Sequence, residues 1–323
     1  METEQNNILF RNTFDNMTLD QVFEVNRYFR GYEYQAATYS FLANFSWSAA
    51  YDIHWDIIGE YLVVCSIGLH HEGGKMKRTA GLSMPMTKTG TYDPEKLAET
   101  VHESYRRCRA EGLHPAFYSL PGNMIPILEE AVPGEILFEH DRDMDEYVYE
   151  KQKLISLSGR ALHKKKNHLN YFLKTYSYEV KPLTEDMLPD MLELTDIVAR
   201  GRERTPDVLE ELRQEKEVIR KTVHFLDHKF VDSVGIFIDG KLEAFAIGER
   251  LGKDTAVEHF EKANVSFRGI YQAICSEFCK ALPEEILFVN REEDMGLENL
   301  RQAKMALKPH HMAEKYHGKF MNQ

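Results

Sequence analysis

Cysteine and long apolar runs are scarce in this chain, and each scarcity excludes a class of protein. Four cysteines among 323 residues are too few for the disulfide framework of a small secreted domain. Cys275 and Cys279 stand one helical turn apart, while Cys65 and Cys108 are isolated, so we expect buried, reduced thiols and no metal site. No stretch approaches the roughly 18 apolar residues of a membrane-spanning helix, which predicts no integral membrane association.

Basic residues are outnumbered by acidic ones, 40 against 52. The formal net charge is -12, which disfavours general binding to nucleic acid or to an anionic membrane but leaves room for a local basic patch. The N-terminus, METEQNNILFRNTFDN, is acidic and polar and lacks the apolar core of a signal peptide. The sequence therefore predicts a cytoplasmic location.

Linkers rich in Pro, Gly or Ser are absent, so the domain organisation must be inferred from the order of secondary structure. A chain of 323 residues exceeds the size at which one core usually stops growing. We therefore expect two domains, at residues 1–155 and 156–323, joined by a basic helix at 158–174.

The second half reads as a strand, two helices, three antiparallel strands, a helix, a strand, a helix and a final strand. Asp239-Gly240 lies between apolar runs and predicts a hairpin. Apolar residues in SFRGIYQAICSEFCKAL repeat every four positions and predict a helix capped by Ser266. This order resembles that of the Gcn5-related N-acetyltransferases. The resemblance implies an α/β fold of α+β type, in which a mostly antiparallel mixed sheet is flanked by helices.

The first half shows a weaker version of the same order, which suggests two tandem acetyltransferase-like domains. Its main helix, DPEKLAETVHESYRRCRAEG, is capped by Asp93 with Pro94 at the first helical position. An acidic cap repels phosphate. We therefore predict that the first domain has a degenerate donor site and binds no phosphorylated donor.

A concentrated basic segment, LSGRALHKKKNHLNYFLKTY (157–176), joins the two halves. Leu169 and Phe172 belong to its apolar stripe, whereas the polar residues fall on other faces. One interpretation is the solvated face of a connecting helix. The other is a phosphate site for a cofactor or RNA, in which lysines act as point charges. The candidate contacts are His163, Lys164, Lys166 and Asn167.

The turn VSFRGIYQ (265–272) precedes the helix of the second domain. The first turn of a helix presents unpaired N–H groups and the positive end of the dipole, a combination that binds phosphate. Ser266, Arg268, Gly269 and Tyr271 are therefore candidate contacts for a phosphorylated donor. Acetyltransferases carry a longer motif here, Gln/Arg-x-x-Gly-x-Gly/Ala, of which only Arg268-Gly269 is present. A packing role for Gly269 is the alternative.

The strand VEHFEKAN (257–264) lies just upstream of this turn. Alternation places His259 and Glu261 on one side and Glu258 and Lys262 on the other. His259 or Glu261 could serve as a general base toward an attacking amine. The alternative is a solvent-facing strand with charged cross-strand pairs.

Five polar residues, Asn290 to Asp294, follow a buried strand and precede a helix. Ligands commonly meet an α/β sheet where strands end, so Asp294 is a third catalytic candidate. Asp294 could also cap the helix that follows. Lys304 faces the apolar side of that helix and requires a partner. A structural ionic network, which can coexist with catalysis, would contain Asn290, Arg291, Glu292, Asp294, Arg301 and Lys304.

Three segments carry a family resemblance: YVYEKQKLISLSGRALHKKKNHLNYF, EHFEKANVSFRGIYQAI and VNREEDMGLENLRQAKMALKP. From about Leu19 to Lys319, the chain resembles bacterial proteins built like the C-terminal domain of phosphatidylglycerol lysyltransferase. The resemblance implies a fold related to enzymes that move an aminoacyl group from tRNA to a lipid or peptide. The family pattern falls on Gly159, His163, Lys164, Lys166, Asn167, Glu261, Lys262, Arg268, Gly269, Asn290, Arg291, Asp294, Gly296, Leu300, Arg301 and Lys304.

These features predict an acyltransferase or aminoacyltransferase. The donor would be aminoacyl-tRNA or acyl-coenzyme A, and no further cofactor is required. The acceptor would be an amine or hydroxyl of a small molecule, peptide or lipid headgroup, and a soluble acceptor is favoured because the membrane-embedded portion of the full lysyltransferase is missing. The alternative is a non-catalytic binding protein that retains the acetyltransferase-like cleft.

Overall fold

The computed structural model contains both helices and strands, and it describes residues 10–15, 17–72, 75–201 and 205–321. Its helices are α1 Leu19–Phe29, α2 Phe41–Trp47, α3 Pro94–Ala110, α4 Ile125–Ala131, α5 Lys151–Ser156, α6 His163–Thr175, α7 Leu188–Ala199, α8 Pro206–Thr222, α9 Ile270–Ala281 and α10 Glu298–Met305. Its strands are β1 Asn12–Thr13, β2 Asp52–Ile58, β3 Tyr61–Glu72, β4 Lys75–Leu82, β5 His114–Pro121, β6 Ile136–His140, β7 Glu146–Glu150, β8 Glu179–Lys181, β9 Val231–Ile238, β10 Lys241–Arg250, β11 Thr255–Ala263, β12 Phe288–Asn290, β13 His311–Ala313 and β14 Lys315–Phe320.

The strands form two sheets of seven strands each. The first has the order β1-β2-β3-β4-β5-β14-β6, and the second has the order β13-β7-β12-β11-β10-β9-β8. Among the described residues, one pair in each sheet is parallel, β4 with β5 and β11 with β12. The predicted fold class, two tandem α/β domains with mostly antiparallel mixed sheets and flanking helices, is confirmed.

The compact units do not follow the two halves of the sequence. Unit 1 consists of Met1–Arg142 with Glu314–Gln323, and unit 2 of Asp143–Ala313. The last strand of the chain, β14, lies between β5 and β6, whereas β7 from the first half lies between β12 and β13. The ranges predicted from the sequence, 1–155 and 156–323, therefore differ from these units. Apolar alternation identifies a strand but carries no information about which sheet receives it.

Local sequence signals explain where several elements begin and turn. Asp93 accepts hydrogen bonds from the N–H groups of Glu95 and Lys96, so the predicted cap of α3 is confirmed. Asp239 and Gly240 adopt φ angles of 49° and 79° and close the β9–β10 hairpin as predicted.

The basic segment is interrupted before it becomes α6. Leu157 ends α5 in the left-handed conformation, and a short 3-10 turn at Arg160–Leu162 precedes α6. The helix predicted at 158–174 therefore begins later, at His163. Leu169 and Phe172 of α6 are buried in the core of unit 2, as the apolar stripe predicts.

The helix predicted to start at Ser266 also begins later. Gly269, with φ of 92°, is the residue that precedes α9, and no side chain caps this end. Ser266 instead lies in the loop, where its N–H donates to the Asn264 side chain. The prediction of Ser266 as the cap was wrong because Gly269 alone among the nearby residues tolerates this positive φ.

The four cysteines are buried free thiols, as predicted. Within the described ranges, no helix is both long enough and apolar enough to cross a membrane.

Candidate active site

The two parallel strands of unit 2 separate soon after they meet. Thr255 to Val257 of β11 pair with Phe288 to Asn290 of β12, and β12 ends there. β11 continues to Ala263, so its second half has no strand partner on that side among the strands of this sheet. An opening at the carboxyl end of a strand is a place where ligands commonly bind α/β sheets.

A β-bulge at His259 changes which side chains of β11 lie together. Phe260 pairs with Ile247 and Glu258 with Gly248, which leaves His259 as an extra residue. A Cβ on Gly248 would lie 2.0 Å from the carbonyl oxygen of Val257, so the bulge requires glycine. Glu258 and Glu261 therefore reach the same partner, and the alternation expected from the sequence was wrong at this point.

Arg291 is that partner. Its Nε lies 2.5 Å from Glu258 and its Nη2 lies 2.7 Å from Glu261. Only 2% of the Glu258 side chain is exposed, against 14% for Glu261, so Glu261 is the carboxylate nearer to solvent. Oε1 of Glu258 is buried and has no hydrogen-bond partner among the described residues.

The surroundings of Glu258, Glu261 and Arg291 favour a proton that stays on the carboxyl of Glu258. Burial raises the pKa of Glu258 well above its usual range, and the negative charge of Glu261 adds to that effect. Arg291 opposes the shift without cancelling it. Two carboxylates that share one arginine thus hold a proton at a pH where an exposed glutamate has lost it.

Cys275 lies beside the two carboxylates. Its sulfur and the oxygens of Glu258 and Glu261 lie within 4.8 Å of one another, a set of atoms that could bind a metal ion. The guanidinium of Arg291 already contacts both carboxylates and supplies the positive charge that such an ion would bring. We therefore interpret the group as an ion cluster rather than a metal site.

His259, a candidate base in the sequence, is held by two carboxylates. Its ring nitrogens lie 3.5 Å from Glu249 and 2.8 Å from Glu292, and only 2% of the side chain is exposed. Burial acts to lower its pKa, but the hydrogen bonds to Glu249 and Glu292 outweigh burial and raise the pKa to about 9. A ring that is charged at neutral pH does not accept a further proton, so these contacts favour a structural cross-link over a general base.

Asp294, the third catalytic candidate, is also held on several sides. Both of its oxygens lie 2.9 Å from the Arg301 guanidinium, and Oδ1 accepts from the N–H of Gly296. Arg301 and the Tyr147 hydroxyl keep the pKa of Asp294 well below its usual range, against the opposing effect of burial. Leu297 rather than Asp294 precedes α10, so the predicted capping role was wrong. Its contacts fit a structural carboxylate.

Lys304 has backbone partners rather than a carboxylate. Its ammonium donates to the carbonyl oxygens of Arg291 and Glu292 and lies 5.7 Å from the centre of the Tyr147 ring. Burial lowers its pKa. Asn290 completes the turn by donating to Glu146 and accepting from the N–H of Glu292. The single network expected from the sequence is thus a set of adjoining groups around one turn.

Several backbone N–H groups of the turn before α9 form hydrogen bonds within the turn itself. Those of Ser266, Phe267 and Ile270 donate to oxygens of Asn264 or Phe267. A Cβ on Gly269 would lie 2.1 Å from the carbonyl oxygen of His168 in α6, which supports the packing interpretation of this glycine. These contacts leave less of the turn for a phosphate than the sequence suggested.

Two side chains of this turn face different surroundings. Arg268 is exposed, and its guanidinium lies 4.7 Å from the centre of the Tyr171 ring. Tyr271 is largely buried, and burial and the charge of Glu261 raise the pKa of its hydroxyl. Tyr271 thus belongs to the Glu258–Glu261–Arg291 group, whereas Arg268 belongs to the outer face.

The polar residues singled out on α6 are all exposed: His163, Lys164, Lys166 and Asn167. Lys165 between them is only half exposed, and its charge helps to lower the pKa of Cys275. Glu258 and Lys165 were missed by sequence reasoning. Gly248 inside a strand was the available signal for the bulge that recruits Glu258.

Comparison with known proteins shows the family of this chain. A family model for the C-terminal part of phosphatidylglycerol lysyltransferase matches residues 32–317. A conserved protein of unknown function from Bacteroides thetaiotaomicron is 27% identical, with a TM-score of 0.81 over 95% of this chain and 98% of that one. The structure of L-PGS from Bacillus licheniformis is 11% identical, with a TM-score of 0.56 over 84% of this chain and 85% of that one.

Two further relatives extend the comparison. FemX is 11% identical, with a TM-score of 0.56 over 84% of this chain and 89% of that one. An uncharacterised protein of Mycoplasmoides gallisepticum is 23% identical over 181 residues, which is 53% of this chain and 54% of that protein. The chain thus matches about half the length of this curated relative. Since the family model spans most of the sequence, the chain belongs to the family of the phosphatidylglycerol lysyltransferase C-terminal domain.

Proposed function

We propose that this chain is an aminoacyltransferase that moves an aminoacyl group from tRNA to an amine or hydroxyl acceptor. The observation that carries the proposal is the pairing of Glu258 and Glu261 with Arg291 beside the open half of β11. The family model supports it, since its name describes transfer of a lysyl group to phosphatidylglycerol.

In the proposed reaction, Glu261 is the general base. It is the more exposed carboxylate, and Arg291 holds it in place. The acceptor nitrogen or oxygen forms a bond to the ester carbonyl carbon and passes its proton to Glu261. The bond from that carbon to the ribose oxygen then breaks, and the leaving oxygen takes up a proton. N–H groups on the unpaired edge of β11 would stabilise the tetrahedral oxyanion.

We favour tRNA over acyl-coenzyme A as the donor. The N–H groups of Ser266, Phe267 and Ile270 are already bonded within the turn, and His168 fills the space beside Gly269. A coenzyme A pyrophosphate would need these groups. The exposed Lys164 and Lys166 offer charges that suit the phosphates of an RNA.

A binding protein without catalysis is the second candidate. The observation that favours it is that Arg291 engages both carboxylates, and the side chains of all three are mostly buried. Such a protein would bind tRNA without accelerating the loss of its aminoacyl group.

The test is single-turnover transfer from a radiolabelled mixture of aminoacyl-tRNAs to amines, peptides or phosphatidylglycerol vesicles. We expect E261Q to lower the transfer rate by about 100-fold or more, the range of general base catalysis, with tRNA affinity unchanged. E277Q is a matched control because the side chain of Glu277 is 15% exposed and also pairs with a cation, Lys280.

Three results would contradict the proposal or part of it. Binding of tRNA by the wild type without any transfer would establish the second candidate. Transfer from acyl-coenzyme A alone would overturn the choice of donor. Equal rates for E261Q and E277Q would show that Glu261 is not the base.

A further inference from the structure

An exposed aromatic side chain and an exposed cation stack on each other beside the start of α9. The Arg268 guanidinium lies 4.7 Å from the centre of the Tyr171 ring, and 40% of Tyr171 is exposed. The Tyr171 ring also makes an edge contact with Tyr176, which packs against Phe172 and Phe267. These aromatic contacts fix the position of the Tyr171 ring, while Tyr171 and Arg268 remain accessible to solvent.

The surface around this pair is positively charged. Lys164, His168 and Lys174 are seven, three and three residues from Tyr171, so they share its side of α6, and all are exposed. The helix, HKKKNHLNYFLKT, contains no acidic residue, although the whole chain has a net charge of -12. Such a local patch attracts phosphate groups that the rest of the surface repels.

The stacking is not explained by a salt bridge. Among the described residues, no carboxylate pairs with Arg268, so its N–H donors are not committed to an acidic side chain. Aromatic rings and arginine guanidinium planes are both surfaces on which unpaired nucleobases stack, because flat groups stack with any base. A duplex, whose bases are already stacked and paired, gains little from such a surface.

We propose that Tyr171 and Arg268 form a stacking platform for an unpaired nucleobase at the 3′ end of the RNA donor. This inference rests on the proposed function and deepens it. Arg268 is three residues from Tyr271, which lies beside Glu261. Arg268 lies in the loop before α9 and Tyr271 in the first turn of that helix, and three residues of chain span at most about 11 Å. A terminal base on the platform would thus place its ribose ester toward Glu261.

The test uses a short single-stranded RNA that ends in the tRNA 3′ sequence CCA, and a blunt RNA duplex as the comparison probe. We expect Y171A to weaken single-strand binding by about 5- to 100-fold, the range for loss of one base-stacking contact. Y171F should retain wild-type affinity because the ring remains. Duplex affinity should be the same for wild type and Y171A.

Salt dependence separates stacking from charge. We expect Y171A to leave the slope of log affinity against log salt unchanged, whereas K164A should reduce its magnitude by about 1. K181A is the control, since Lys181 makes a similar contact with the Phe237 ring but lies outside the platform. It should bind the single strand as the wild type does.

The outcomes distinguish this inference from the proposed function. Transfer by the wild type together with wild-type binding by Y171A would overturn the platform alone. Selective loss of single-strand binding in Y171A, with no transfer by the wild type, would support the platform and refute the transferase. Failure of the wild type to bind the single strand would also overturn the platform.

Discussion

Buried charges in unit 2 are held by specific neighbours, and the type of neighbour determines what each residue can do. His259 lies between two carboxylates, Lys304 between two carbonyl oxygens, and Arg291 against Glu258 and Glu261. A buried charge that loses its partner is strongly destabilising. Among the described residues, the Arg291 group is the one that combines such contacts with a carboxyl whose pKa is raised, which supports the catalytic role proposed for it.

The pH dependence of stability should report His259. Its pKa rises from about 6.5 in the unfolded chain to about 9 in the fold. Stabilisation by the charged ring is therefore complete below pH 6.5 and is lost as the pH rises through 9. We expect the free energy of unfolding to fall by about 3 kcal/mol from this group between these limits, measured by urea titration.

The ring can be followed directly by NMR, with its resonance assigned by the loss of one signal in H259Q. The control is H224N, which removes a histidine in an exposed pair with Glu185. This variant should keep the wild-type pH dependence, whereas that of H259Q should be flatter. A folded-state ring that titrates near 6.5 would show that the two carboxylates do not hold its proton.

At the scale of elements, α6 packs closely against the residue that precedes α9. The contact is close because Gly269 has no side chain: a Cβ there would lie 2.1 Å from the His168 carbonyl oxygen and 3.1 Å from the Phe172 Cβ. Backbone atoms cannot give way as the end of a flexible side chain can. Gly269 is thus required for the packing of α6 against the start of α9, independently of any ligand that binds nearby.

Substituting alanine for this glycine separates packing from backbone strain. Gly269 and Gly159 both have positive φ, 92° and 100°, but nothing lies within 4 Å of a Cβ on Gly159. G159A should cost about 1 kcal/mol, from strain alone. G269A should cost about 3 kcal/mol or more, because α6 must also move. Equal losses in urea unfolding would refute the packing role.

At the scale of the whole molecule, each compact unit depends on a strand from the other half of the sequence. Residues Glu314–Gln323 belong to unit 1, where Phe320 contacts Tyr105 and Phe117. Gly318 of β14 pairs with both Phe117 and Phe138. β14 is therefore part of the core of unit 1.

Truncation tests this dependence. A chain that ends at Ala313 lacks β14, so β5 and β6 lose their shared neighbour. We expect rapid proteolysis within residues 1–142 and continued protection of 143–313, measured by limited trypsin digestion with mass spectrometry. A chain that ends at Met321 keeps β14 and should be as protected as the full chain. Equal resistance of both truncated chains would contradict the assignment of β14 to unit 1.

The sequence predicted the types of elements well and the site only in part. Periodicity and turn residues are local signals. They correctly located α3 and the β9–β10 hairpin, and they predicted α9 but placed its start too early. Glu261 and Arg291 were singled out, but Glu258 was placed on the opposite side of its strand. The error came from the bulge, which changes the alternation through contacts with β10 that are distant in sequence.

Residue order by itself determined that unit 2 has a three-stranded meander followed by a helix, and that a basic helix precedes it. These properties depend on neighbours within a few positions, where side-chain spacing decides the structure. Only the tertiary structure decided that β7 and β14 change sheets, that Lys304 binds carbonyl oxygens, and that Arg291 joins two glutamates. Such pairings are selected by burial and charge across long sequence separations, which no local pattern encodes.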